Sequence, residues 1–210
     1  MRRPKLAAAA ILAGVLAIAG CGPSTPTAES VSPSPSPGAT VAVSAPLVAS
    51  PPPSAGGAVV VDPALLDLLP EEVQGQALRP DDETAVEIAG SGDLAADIEA
   101  IAVGLYVQPG SSTADDLAIV NVVRLRPGVF GDAWFRSWRS TYDDGACEVA
   151  GGVAPGAAVT EIGAHETHIG SCQGGVHTYH VHLASPDRVI SITAAGEGRF
   201  GERVVAGLTE

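Results

Sequence analysis

Between residues 22 and 57 this chain has too little apolar material to build a core. The run Ser32-Pro33-Ser34-Pro35-Ser36-Pro37 alternates strictly, and Pro51-Pro52-Pro53 follows. Each proline removes a backbone donor and fixes φ, so neither a helix nor a sheet ladder runs easily through the segment. With few large side chains to bury, the entropy of ordering it is not offset. Residues 21–57 are therefore expected to form a disordered linker, spanning roughly 110 Å as polyproline II and roughly 35 Å as a coil. Folding is confined to residues 58–210, about 150 residues and enough for a single core. No internal repeat is visible there.

Upstream of the linker, Arg2, Arg3 and Lys5 precede an apolar run from Leu6 to Ile18. About thirteen apolar residues fall short of the roughly twenty that span a bilayer, which points to a cleaved signal segment. The run ends in Ile18-Ala19-Gly20-Cys21. This resembles the lipobox of bacterial lipoproteins: an aliphatic residue, two small residues and a cysteine. The resemblance implies that residues 1–20 are a signal peptide and that the Cys21 thiol carries a diacylglyceryl group. The mature chain would then sit on the outer face of the bacterial cell membrane. Acyl chains such as palmitate contribute roughly 0.8 kcal/mol per buried CH₂, so two or three hold firmly.

The chain has 11 basic and 24 acidic residues, a formal net charge of −13. Loss of residues 1–20 removes three basic residues and no acidic one, leaving eight arginines against 24 acids. Such a surface disfavours nucleic acid and anionic lipid as partners. The expected partners are the membrane, through the lipid anchor, and an unspecified protein or small-molecule ligand. The three cysteines are Cys21, Cys147 and Cys172. With Cys21 acylated in an oxidising compartment, Cys147 and Cys172 form the natural disulfide. It closes a loop worth roughly 3.5 kcal/mol in the chain-entropy model.

Within the folded part, Asp62-Pro63 reads as a capped helix start followed by Leu65, Leu66, Leu68 and Leu69. Thr84 to Ile88 alternates and predicts a strand; Ser91 predicts the cap of a helix with Leu94, Ile98 and Ala102 on one face. Ile101–Val107 and Leu117–Leu125 predict two strands joined by the polar loop Pro109–Asp116. Phe130, Trp134, Trp138 and Tyr142 recur every four residues, the inward stripe of a helix over 130–143 that Gly145 ends. Four short strands follow, at 158–162, 165–171, 176–183 and 188–194, with a Pro186-Asp187 turn between the last two. Arg199 to Leu208 predicts a closing helix. The fold class is α+β: one domain, an antiparallel sheet packed by helices. The order of elements loosely resembles the PsbP-type fold and other lipoprotein sensor domains, a likeness that implies a fold and no function.

The unusual chemistry is histidine, since all five lie between His165 and His182. On a strand, His180 and His182 share one face while His177, Tyr179, Val181 and Leu183 share the other. Two imidazoles at i and i+2 can chelate zinc or copper, with a third ligand from His165, His168 or Glu166 next door. His165-Glu166-Thr167-His168 is one residue short of the helical zinc-protease motif. Gly170-Ser171-Cys172-Gln173-Gly174 has the spacing of a nucleophile elbow, but a strand follows it where the elbow requires a helix. The paired carboxylates, Asp143-Asp144 among them, read as solvated charge at loops and helix ends. No phosphate loop, dinucleotide fingerprint or serine elbow is present. The expectation is a non-enzymatic binding or accessory domain, with a metal-binding lipoprotein as the alternative.

Overall fold

β-Branched residues are frequent in residues 98–107, 117–125 and 187–195, and these segments form the centre of a sheet. The computed structural model describes residues 57–107, 116–184 and 187–209. The signal segment, Cys21 and almost all of the linker lie outside the described residues, as does Pro186.

The chain runs through β1 (Val60–Val61), a 3-10 turn (Pro63–Leu68), β2 (Glu72–Val73), β3 (Gln76–Ala77), β4 (Arg79–Pro80) and α1 (Asp82–Gly90). It continues through β5 (Ile98–Val107), β6 (Leu117–Leu125), α2 (Asp132–Glu148), β7 (Val153–Ile162) and β8 (His165–Cys172). A second 3-10 turn (Gln173–Gly175), β9 (His177–Ala184), β10 (Asp187–Ala195) and α3 (Phe200–Ala206) follow. Eight strands form one sheet in the order β1-β5-β6-β10-β9-β8-β7, with β4 also on β5 and β2–β3 a separate hairpin. Among the described residues only the β1–β5 pairing is parallel. The β7–β10 meander returns to β6, where Ser191 pairs with Asn121 and Ile192 with Val120. The domain is therefore α+β, as expected. Among the described residues no helix is long and apolar enough to cross a membrane.

Period-two alternation splits the side chains between two layers. Tyr106, Val120, Val181, Ile190 and Ile192 face α3 and the first 3-10 turn, packing against Phe200, Val204, Leu65 and Leu69. On the opposite face Ile101, Val123 and Val189 meet α1 and α2 through Ile88, Phe135, Trp134 and Trp138. The aromatic stripe of α2 is thus an inward face.

Two N-terminal expectations are corrected. Thr84–Ile88 is helical, not a strand: Asp81 caps α1 by accepting from the Thr84 N–H at 3.2 Å, and Asp82 and Glu83 sit favourably at its positive end. Val86 is exposed whereas Ala85, Ile88 and Ala89 turn inward, a spacing of three to four. Ser91 ends α1, its Oγ donating to the Ile88 carbonyl at 2.8 Å, and does not start a helix. Ile98 and Ala102 belong to β5, a nearly continuous buried run that periodicity alone cannot separate from a buried helix. Gly145 lies inside α2, which runs to Glu148. Its last turn is held by the Cys147–Cys172 disulfide, with Cα atoms 5.0 Å apart.

Candidate functional site beneath helix α2

The disulfide joins the end of α2 to the end of β8. Between that staple and the hydrophobic contacts of Phe135, helix and sheet meet through polar groups. Asp143, in the last turns of α2, reaches His180 on β9, its Oδ1 lying 2.9 Å from Nε2. The other imidazole nitrogen lies 3.0 Å from Ser191 Oγ on β10. Trp138 Nε1 donates to the same hydroxyl at 2.9 Å. The Thr178 hydroxyl donates to Asp143 Oδ1 at 2.5 Å. One proton assignment satisfies the row: Ser191 accepts from the indole and donates to Nδ1, leaving Nε2–H for the carboxylate. Gly170 of β8 makes the approach possible, since a Cβ there would stand 2.9 Å from Asp143 Oδ2.

A second knot is built on the preceding residue of the helix. The Tyr142 hydroxyl accepts from Asn121 Nδ2 and Thr193 Oγ1, each at 3.0 Å, and donates to the Ser191 carbonyl at 3.4 Å. Burial raises the pKa of this phenol, and the two donors only partly oppose the rise. Burial also pushes the Asp143 carboxyl up, but hydrogen bonds from His180 and Thr178 and the charge of Arg139 hold it below its ordinary value. His168 is driven toward its neutral form, first by burial and then by Arg139.

The histidines divide by strand parity. His180 and His182 share the α2 face as expected, and His168 joins them directly opposite His180. His165 does not: with Ile169 paired to Tyr179, the odd residues of β8 and β9, including His165 and His177, face the α3 layer. The three α2-side rings are each engaged. His180 uses both nitrogens as described. His182 stacks on Phe130 with centroids 3.4 Å apart and has Nε2 3.2 Å from Asp187. His168 has Nε2 3.4 Å from Glu166 and meets Phe135 edge-on. Among the described residues no group of three or more His, Cys, Asp or Glu is placed to hold a metal ion.

No family model, curated protein or solved structure matches this chain. What the arrangement can do must be read from its own chemistry.

Carboxylate, imidazole and hydroxyl in a row is the order of a hydrolytic triad. Here it is closed. His180 and Ser191 are each 1% exposed, and the Ser191 oxygen is covered by the Trp138 indole. A pocket of about 130 Å³ touches Asp143, His180, His168 and Arg139 but does not reach Ser191. Arg139 lies over the Phe135 ring, 4.9 Å from its centroid. The nucleophile suggested by sequence, Cys172, is consumed by the disulfide, and Gly174-Gly175 turn the chain into β9 as expected. Sequence reasoning missed Asp143 and Ser191. Asp143 resembled any solvated acid at a helix end, and Ser191 is one polar residue in an apolar strand.

Proposed function

We propose that this chain is a bacterial lipoprotein whose acidic folded domain serves a non-enzymatic binding role at the outer face of the cell membrane. The observation that carries the reading is the pairing of Cys147 with Cys172, which leaves Cys21 outside the disulfide and directly after Ile18-Ala19-Gly20. A stable disulfide suits an extracytoplasmic compartment, and a lone cysteine in a lipobox suits acylation. Binding rather than catalysis is supported by the fate of the nucleophiles: one thiol is cross-linked, and the Ser191 and Thr178 hydroxyls beside the Asp143–His180 pair are sealed. The metal alternative is weakened because His180, its first ligand, has both nitrogens committed.

The test is expression of the full chain in a bacterium with labelled palmitate, followed by detergent phase partition. The expected result is label on the protein and recovery in the detergent phase. Cys21→Ser should abolish the label and shift the protein to the aqueous phase. An unlabelled wild type found among cytosolic proteins would overturn the anchor and the compartment together.

A further inference from the structure

The sheet face away from α2 carries a second, larger hollow. A pocket of about 560 Å³ opens between β7, the neighbouring strands β8 to β10 and the start of α3. Its volume lies within the roughly 300–1,000 Å³ of small-molecule sites. One wall is irregular. The register of β7 against β8 breaks between Ala154 and Ala158, where Gly156 has φ 126°. Bulges of this kind gather beside functional sites, where they re-aim the strand. Across the pocket, Arg199 adopts φ 52° although it is not glycine, a conformation that costs about 1 kcal/mol or more and persists only where its surroundings hold it.

Tyr179 decides what the hollow is for. Its side chain lines the pocket and the residue is only 4% exposed, yet its hydroxyl has no hydrogen-bond partner among the described residues. The hydroxyl is not among the sealed polar atoms that lack a partner, so it opens to the pocket, where a ligand can meet it. The ring cannot turn away, because it lies against the α3 backbone at Gly201, where any Cβ would collide with it. Burial, and then the nearby Glu202 carboxylate, raise its pKa, so the group stays protonated and can both donate and accept. The rim adds Ser171 and His177, whose Oγ and Nδ1 are 3.4 Å apart. It also adds three charges: Glu197, Glu202 and Arg199. Arg199 pairs with Glu202, which leaves the Glu197 carboxylate as the uncompensated charge of the three. The net charge of −13 adds a field of the same sign. An anion would meet repulsion here; a cation would not.

We infer that this pocket binds a small hydroxylated amine, its ammonium group facing Glu197 and Glu202 and its hydroxyl meeting Tyr179. The inference deepens the binding role proposed above and is independent of the lipid anchor. Recognition of this kind is selective because a neutral analogue forfeits the carboxylate contacts, and an amine without a hydroxyl leaves the phenol unpaired.

Calorimetric or NMR titration of the full chain with glucosamine and ethanolamine, against glucose and ethylene glycol, tests it. At least one amine should bind saturably, about tenfold or more tighter than its neutral counterpart, and binding should weaken with added salt. Tyr179→Phe should weaken it about tenfold, and Glu197→Gln or Glu202→Gln should weaken it further. Tyr179→Phe retains the ring against Gly201, so an unchanged melting temperature without ligand certifies its fold. No saturation by either amine up to about 10 mM, or equal binding of the neutral compounds, overturns the inference. Amine binding that survives Tyr179→Phe unchanged removes this pocket while leaving a binding role elsewhere. In every case palmitate labelling at Cys21 reports the anchor separately.

Discussion

Tyr142 and Tyr179 lie on opposite sides of one sheet and show two ways of burying a phenol. Tyr142 on α2 is surrounded by Asn121, Thr193 and the Ser191 carbonyl. Tyr179 on β9 is equally enclosed by apolar neighbours but has no polar partner among the described residues. The α2 side spends most of its polar groups on one another, with Asn121 Oδ1, Arg139 Nε and His168 Nδ1 left buried without a partner among the described residues, whereas the α3 side turns its phenol toward a pocket. Polar richness is thus a poor guide to where a ligand goes. The denser cluster, with three of the five histidines, is cohesion between helix and sheet, and the sparser face has the phenol that opens to the larger pocket.

Cleaving the staple should have the largest effect on this contrast. Cys147→Ser combined with Cys172→Ser should lower unfolding stability by about 3.5 kcal/mol, measured in urea. The loss should fall first on the α2 side, visible as early hydrogen exchange in α2. Next, Asp143→Ala should cost about 3 kcal/mol, because it strands His180 in the interior without its carboxylate. A cost below about 1 kcal/mol would show that the pair behaves as an exposed one. The tyrosines give a direct comparison. Tyr142→Phe should cost about 1–2 kcal/mol for its lost hydrogen bonds, while Tyr179→Phe should stay within about 0.5 kcal/mol. Equal costs would erase the distinction between the two faces.

The smallest expected effect is a pH slope. His168 has its folded-state pKa lowered from the ordinary 6.5 by burial and by Arg139. The stability it contributes is therefore complete above pH 6.5 and declines as the pH falls toward the lowered value. Asp143, also lowered, continues the decline as the pH falls below its ordinary 3.8. Melting temperature should drop on acidification from neutral pH, and His168→Gln should flatten the upper part of the curve. A slope unchanged by that substitution would assign the titration to another group.

Much of this was legible in the residues, for definable reasons. Three of the four C-terminal strands alternate and are punctuated by Gly163 and by Gly174-Gly175, so their bounds were readable to within a residue, whereas β7 starts at Val153, five residues before the expected Ala158, through the irregularity at Gly156. The face shared by His180 and His182 followed from strand parity. The disulfide followed from cysteine arithmetic once Cys21 was set aside. By contrast, α1 is nine residues long, and its Val86 and Ile88 on either side of Glu87 imitate alternation although Val86 is exposed. The site depended on contacts that no local pattern encodes. Asp143 meets His180 37 residues away, and Ser191 enters the row only because β9 and β10 pair in one particular register. Tyr179 looked like any inward aromatic until Gly201 and the missing partner set it apart.

Strand β7 is the outermost of its side of the sheet, with no partner on its far edge among the described residues and with Val153 and Val159 exposed. Such an edge invites copies of the same molecule to add strand to strand and grow into fibres. Pro155 withholds one donor from any incoming chain, and the kink at Gly156 spoils the flatness that stacking needs. Those two residues act as a guard against polymerisation.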